Sequence, residues 1–419
     1  MRILYISYFY PPLGGPAVLR NHSIVKYLAR SGWEIDLITV KDPEYYYYDS
    51  SLDAELPGVN VHRVASADPM SLLRRIRGKK KQSGIYLNTP EKYKLAIRRL
   101  FPIDDKIGWL PYLIRKGKEL LNSQSYDLIY VSCGPFSSGI GASRLSEKYG
   151  IPLVYDARDY WNLLSDYDLQ GTIIHRKLSL YWEKRILRRS KLFVSATEGI
   201  RSDSIKAFGG DLANKSLTIY NGWDEEEFEG LEPGDTEGFE LAYFGNIYAR
   251  RSFKHFYLAV KRLKGEGKLP PDVSIKLYGN FNREAQDEIR ESGIEELIEI
   301  VPALAHREAL KRMLGAGALM LLINSSSPWG TLTSKLFEYL RCRKPILAMV
   351  PIDNEAAVLL RECGHDYIAP MESVESIYQQ LKRLFDERGV HRAYLVPTDL
   401  SREEQIERLD ERLRALVSS

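Results

Sequence analysis

Thr331-Leu-Thr-Ser-Lys-Leu-Phe-Glu-Tyr-Leu-Arg-Cys-Arg-Lys-Pro-Ile-Leu-Ala348 predicts a helix that runs, after a short turn, into an apolar strand ending at Val350. Lys335 and Glu338 stand three residues apart near the start of that helix, so they share one face. A helix N-terminus offers free backbone N–H groups and the positive end of the dipole, which together suit a phosphate. A cation and a carboxylate placed there can serve a diphosphate and a ribose diol at once. The same pair also fits an ordinary surface helix, and the rest of the chain has to separate the two.

Working outward, helix-like and strand-like patterns alternate through both halves, which predicts parallel α/β sheets. In the first half the expected strands are Ile3 to Ser7, Ile35 to Val40, Asp127 to Ser132, Leu153 to Tyr155 and Leu192 to Ser195. Pro16 to Arg30 reads as a helix, with Pro in its first turn and Gly32 just past its end. The second half restarts at Phe239 to Phe244 and continues with Ser274 to Tyr278, Ile298 to Val301, Ala318 to Ile323 and Ile346 to Val350. Between the halves lies an acidic stretch containing Pro233-Gly234. The expected organisation is a first domain over 1–223, a linker over 224–238, a second domain over 239–397 and a terminal helix over 398–419. Ser401, three residues before Glu404, has the spacing of a capping box and marks the start of that helix.

A length of 419 residues favours two or three domains over one core. The balance of 59 basic and 56 acidic residues leaves a net charge of only +3, which gives nucleic-acid binding no support. Cys133, Cys342 and Cys363 are far apart, with neither a disulfide framework nor a zinc spacing, and fit a reducing compartment. Met1 to Ser7 reads as a first buried strand rather than a signal peptide. No run of 18 apolar residues is present, so no membrane-spanning helix is expected.

Open parallel sheets bind ligands at the carboxyl ends of their strands. The loops after strands are therefore the ones to inspect. Gly14-Gly15 follows the first strand and lets backbone approach a ligand closely, although it is not the G-x-G-x-x-G pattern of dinucleotide sites. Gly245-Asn246 opens a loop ending in Arg250-Arg251, whose guanidinium groups match phosphate oxygens. Asp156, Arg158 and Asp159 at another strand end fit either sugar hydroxyls or an internal ion-pair network. His22 and His306 are isolated histidines of the kind that is most often structural. Residues 71–99 hold ten basic residues and one acidic one, interleaved with Leu72, Leu73 and Ile76. That mixture suits an anionic membrane surface or a solvated loop.

Together these pieces resemble the retaining glycosyltransferases of family 4, and the likeness runs over nearly the whole chain. It is carried by Tyr10-Pro-Pro-Leu-Gly-Gly15 with Arg20, Leu28-Ala-Arg-Ser-Gly32, Asp156-Ala-Arg-Asp159 with Trp161, Asn221-Gly-Trp-Asp224 with Phe228, Phe244-Gly-Asn246, and Lys335-Leu-Phe-Glu338 with Lys344-Pro345. The resemblance implies a GT-B fold, with two Rossmann-like parallel-sheet domains facing across a cleft. It implies that Glu338 binds the donor ribose and that Lys335, Arg250 and Arg251 hold the donor phosphates. Gly14 and Gly15 then face the donor from the other domain, and backbone at Val301 and Pro302 lies where the base docks. Thr331, Leu332 and Thr333, with Gly245 and Asn246, complete the donor-binding positions. Asp159 is the candidate for activating the acceptor. No metal and no cofactor are implied.

The likeness is to bacterial enzymes of surface-polysaccharide synthesis. It implies a nucleoside diphosphate sugar donor and a lipid-linked or glycan acceptor; the expected place is the cytoplasm, on the inner face of the plasma membrane, with the basic segment 71–99 as the expected contact with anionic lipid. One position departs from the family: the first Glu of the usual E-x7-E motif would stand at 330, where this chain has Gly330. Two other classes therefore stay open, a GT-B sugar-nucleotide epimerase or hydrolase, and a GT-B binding protein without catalysis.

Overall fold

The structure, a computed structural model, describes residues 1–41, 43, 45, 48–49, 52, 55–69, 100–163, 172–247, 252–390 and 392–418. Among these, every paired strand is parallel to its neighbour. Contacts divide the chain into one unit of Met1–Asn221 with Glu403–Ser419 and a second of Gly222–Arg402.

The first unit is built on seven strands: β1 (Arg2–Ile6), β2 (Glu34–Val40), β3 (Val59–Val64), β4 (Leu128–Cys133), β5 (Leu153–Ala157), β6 (Leu192–Ser195) and β7 (Ser216–Thr218). Their order is β3-β2-β1-β4-β5-β6-β7. The chain moves outward from β1 in one direction, returns, and moves outward in the other, so β1 and β4 flank the switch point where such sheets bind ligands. The central strands are buried along nearly their whole length, as continuous apolar runs in a sheet covered on both faces must be. The helix Pro16–Arg30 follows β1 directly, with Pro at its first position and Gly32 beyond its end. The terminal helix Arg402–Ser418 lays Ile406, Leu409 and Leu413 into the core of this unit beside Trp33 and Leu28. Trp33 Nε1 donates to Asp410 Oδ1 at 2.5 Å, which fixes the register of that packing.

The second unit carries β8 (Phe239–Phe244), β9 (Val273–Tyr278), β10 (Ile298–Val301), β11 (Ala318–Leu322), β12 (Ile346–Met349) and β13 (Ile368–Ala369), in the order β10-β9-β8-β11-β12-β13. Here β8 and β11 flank the switch point. The acidic stretch after Asp224 belongs to this unit and is hydrogen-bonded into it. Gly234 N–H donates to Lys311 O at 2.9 Å, and Thr236 Oγ1 donates to Gly315 O at 2.9 Å. Among the described residues no helix is long and apolar enough to cross a membrane.

Candidate functional site

The carboxyl ends of β8, β9 and β10 are stitched together by their own backbone. Gly245 N–H donates to Tyr278 O at 2.7 Å, and Gly279 N–H donates to Val301 O at 2.9 Å. Asn280 N–H donates to Asn246 Oδ1 at 2.9 Å, which pins the two loops side by side. Gly245 and Gly279 have φ of 144° and 148°, and a Cβ on Gly279 would stand 2.3 Å from Gly245 O. Only glycine permits that approach. Val301 O accepts this one bond inside the sheet, while Pro302 and Ala303 stay exposed.

The helix Lys335–Cys342 begins beside these loops. Lys335 reaches back across β8: a Cβ on Gly245 would stand only 2.2 Å from its Nζ. The same ammonium lies 5.1 Å from the centroid of the Tyr243 ring, a cation–π distance. The lysine therefore crosses the strand end because that strand end has no side chain. Tyr339 on the same helix accepts a hydrogen bond at its hydroxyl from Phe244 N–H at 3.1 Å, locking helix to strand. Thr331, Leu332 and Thr333 are partly buried in the lead-in, where Thr331 N–H donates to Pro328 O and Leu336 N–H to Thr333 O, each at 3.0 Å. At the head of that loop the buried Asn324 Oδ1 accepts nothing from the described residues, an acceptor left for a ligand or water.

Glu338 sits one turn further on and is only 5% exposed. Its surroundings were not foreseen from the sequence. His306 Nε2 is 3.9 Å from Glu338 Oε1 and 3.0 Å from Glu227 Oε2. Arg402, 3% exposed, donates through Nη1 to Glu227 Oε1 at 3.0 Å. Glu338, Glu227, His306 and Arg402 thus form one cluster of charged groups, with the buried Asp224 acting on Arg402 as well. Burial pushes the Glu338 carboxyl above its ordinary value, while His306, Arg402 and Lys335 oppose the rise. Burial also opposes ionisation of Glu227, but Arg402 and His306 more than reverse it and bring its pKa down to about 2. For His306, burial disfavours the charged ring, yet the Glu227 bond and the charges of Glu338 and Glu227 raise its pKa to about 9.

That raised value has a checkable consequence. A histidine whose folded pKa exceeds its unfolded one adds stability that is fully present below the unfolded value, here 6.5, and is lost as pH rises through the folded value, about 9. Wild-type stability in urea should therefore carry a falling component between these limits, and His306→Gln should remove it. Equal pH slopes for the two proteins would mean that the ring is not charged in the fold.

Of the remaining expected positions, Arg250 and Arg251 lie outside the described residues, as do residues 71–99. Gly14 and Gly15 lie in the first unit, between β1 and the helix Pro16–Arg30, with Gly15 as its N-cap. Asp156 is an internal ion-pair partner: Arg20 donates from Nη2 to its Oδ1 at 2.7 Å and from Nε to its Oδ2 at 3.1 Å. Arg20 also donates to Ile219 O at 2.7 Å, so the pair braces the sheet. Asp159 is paired with Arg158 at 3.1 Å and remains 64% exposed beyond the end of β5. No group of three or more His, Cys, Asp or Glu suited to a metal occurs among the described residues.

Residues 14–222 match the family model of the glycosyl transferase 4-like domain. The chain belongs to that family. Its architecture is GT-B, and the solved structures it resembles agree over full length. Sucrose-phosphate synthase from Thermosynechococcus elongatus superposes with a TM-score of 0.64 at 14% identity, covering 100% of this chain and 95% of that one. HepE of Anabaena, solved with UDP and glucose, gives 0.60 at 14% identity over 100% and 97%. UDP-GlcNAc 2-epimerase from Methanocaldococcus jannaschii gives 0.54 at 10% identity over 100% of both chains. No curated protein matches the chain. The family match makes the protein a glycosyltransferase; the fold, which an epimerase shares, does not add to that.

Proposed function

We propose that the second unit binds a nucleoside diphosphate sugar and that the enzyme transfers the sugar to a hydroxyl acceptor. The observation that carries this is the convergence of Lys335 Nζ on the bare strand end at Gly245, with the Glu338 carboxyl one helical turn away. In this reading Lys335, Arg250 and Arg251 stabilise the diphosphate as negative charge develops on it. Preorganised cations aimed at a developing charge supply a large share of catalysis in such sites. The start of the helix Lys335–Cys342 adds backbone N–H groups to the same anion. Glu338 accepts from the ribose diol, and backbone at Val301 and Pro302 meets the base. A site with three cations serves the leaving group without a metal. Retention of configuration follows from the family resemblance, and Asp159 is the candidate for activating the acceptor. HepE's complex makes uridine diphosphate sugars the first donors to test. A lipid-linked acceptor of surface-polysaccharide synthesis, met at the cytoplasmic membrane face, completes the proposal.

Donor turnover tests it. A donor consumed only when a hydroxyl acceptor is present is the expected result. Interconversion of the sugar nucleotide without acceptor would select the epimerase class, and binding without turnover would select a binding protein. The diphosphate role has its own check. Replacing Arg250 and Arg251 together with Ala should weaken binding of a free nucleoside diphosphate at least tenfold, at about 1.5–3 kcal/mol per charged hydrogen bond lost. The bare nucleoside should bind as before. Equal losses for both ligands would assign the two arginines elsewhere.

A further inference from the structure

The helix Ile173–Arg189 is the next described helix after β5 in the first unit. Its buried side is Ser179, Glu183, Ile186 and Leu187, spaced as one helical stripe. Glu183 is the helix's sole acid, and it faces inward, accepting from Asn162 Nδ2 at 2.6 Å. The outward side is Ile173, Arg176, Lys177, Leu180, Tyr181, Lys184 and Arg188, all exposed and at the complementary helical spacing. Ile174 adjoins them. The two isoleucines are 70% and 73% exposed, and Leu180 and Tyr181 are exposed as well.

Four cations and four apolar side chains thus share a face with no carboxylate on it. Among the described residues, Arg176, Lys177, Lys184 and Arg188 form no ion pair, whereas Arg185 at the side of the helix is held by Glu147 at 2.8 Å. A merely solvated face would be charged in both signs and would not present two isoleucines at the first turn. We propose that this face docks on an anionic membrane surface, with the isoleucines entering the interface and the four cations meeting lipid headgroups. Interleaved cationic and apolar residues on one helical side are what a helix lying in the interface plane requires. Long cationic stems let the charge stay at headgroup level while the apolar part is buried. A second copy fits poorly, because a two-fold interface would set the four cations against themselves. Nucleic acid would leave the isoleucines without a partner.

The inference deepens the reading of a membrane-linked acceptor and does not depend on residues 71–99.

Sedimentation of the full chain with vesicles tests it. Wild type should bind vesicles containing phosphatidylglycerol, bind them less at high salt, and ignore pure phosphatidylcholine. Arg176→Gln, Lys177→Gln, Lys184→Gln and Arg188→Gln combined should lower the partition by roughly tenfold or more, since each juxtamembrane cation contributes on its own. Ile173→Ser with Ile174→Ser should lower it by several-fold while leaving the salt dependence in place. These are surface positions, so unchanged urea midpoints are expected and confirm that the fold is intact. Vesicle binding that the helix variants leave at wild-type level, or no binding at all, would overturn the proposal. So would a wild-type dimer that the same variants dissociate, which would give the face to a second copy. Donor binding on the same preparations reports on the transferase reading separately: donor binding without vesicle binding overturns the docking face alone.

Discussion

Glu338→Ala is expected to lower affinity for the sugar-nucleotide donor by roughly 10- to 100-fold, the effect of losing a charged hydrogen bond at about 1.5–3 kcal/mol. The carboxyl is 5% exposed, at the head of a helix that the Tyr339–Phe244 bond anchors to β8, so its position is set before ligand arrives. Such preorganisation means the lost interaction is not recovered by rearrangement. Glu338→Gln keeps the shape and removes the charge, and it should fall between Ala and wild type. Calorimetric titration with the donor, and with free nucleoside diphosphate, reads both variants. A donor affinity that Glu338→Ala leaves unchanged would remove this residue from the site.

The second large effect is expected at Arg402. Replacing one partner of a fully buried ion pair strands the other charge at a typical cost of about 3–5 kcal/mol, and with Glu227 21% exposed the lower end of that range applies here. Arg402→Met would leave Glu227 with His306 alone and would take one of the two cluster cations away from Glu338. Urea denaturation should show a fall of that order. Arg402→Met combined with Glu227→Gln should recover part of it, because the stranded carboxylate is then gone. Ionisation of Glu338 should also shift, so that donor binding in Arg402→Met fails at a higher pH than in wild type as the solution is acidified. A double variant as unstable as the sum of the two single ones would show that the groups act independently.

The legible and illegible parts of this chain differ in kind. Central strands were readable because burial on both faces forces continuous apolar runs, as at Leu128–Cys133 and Ala318–Leu322. The helix Pro16–Arg30 was readable from its proline start and the glycine past its end. The strands not foreseen are β3, β7 and β13, all at sheet edges. β3 has no buried residue and is exposed at both Asn60 and Val61, so it shows no alternation, and β7 and β13 have three and two residues, too few for any periodicity. Lys335 and Glu338 were visible because one helix turn brings them together. Glu227, His306 and Arg402 were not, since they come from three distant segments and meet only through the fold. His306 looked like an isolated structural histidine for the same reason. Asp156 had two readings in sequence, and its bidentate bond with Arg20 decides for the internal one.

The central claim is that a sugar nucleotide binds where Lys335 crosses the bare end of β8. Hydrogen exchange of the full chain, with and without a saturating uridine diphosphate sugar, tests this most directly. Ligand that binds only the folded state raises local as well as global protection. The account predicts new protection at Gly245–Asn246 and across Thr331–Glu338, lost in Glu338→Ala. Tight binding that leaves both segments unprotected, or protects only segments elsewhere, would contradict it.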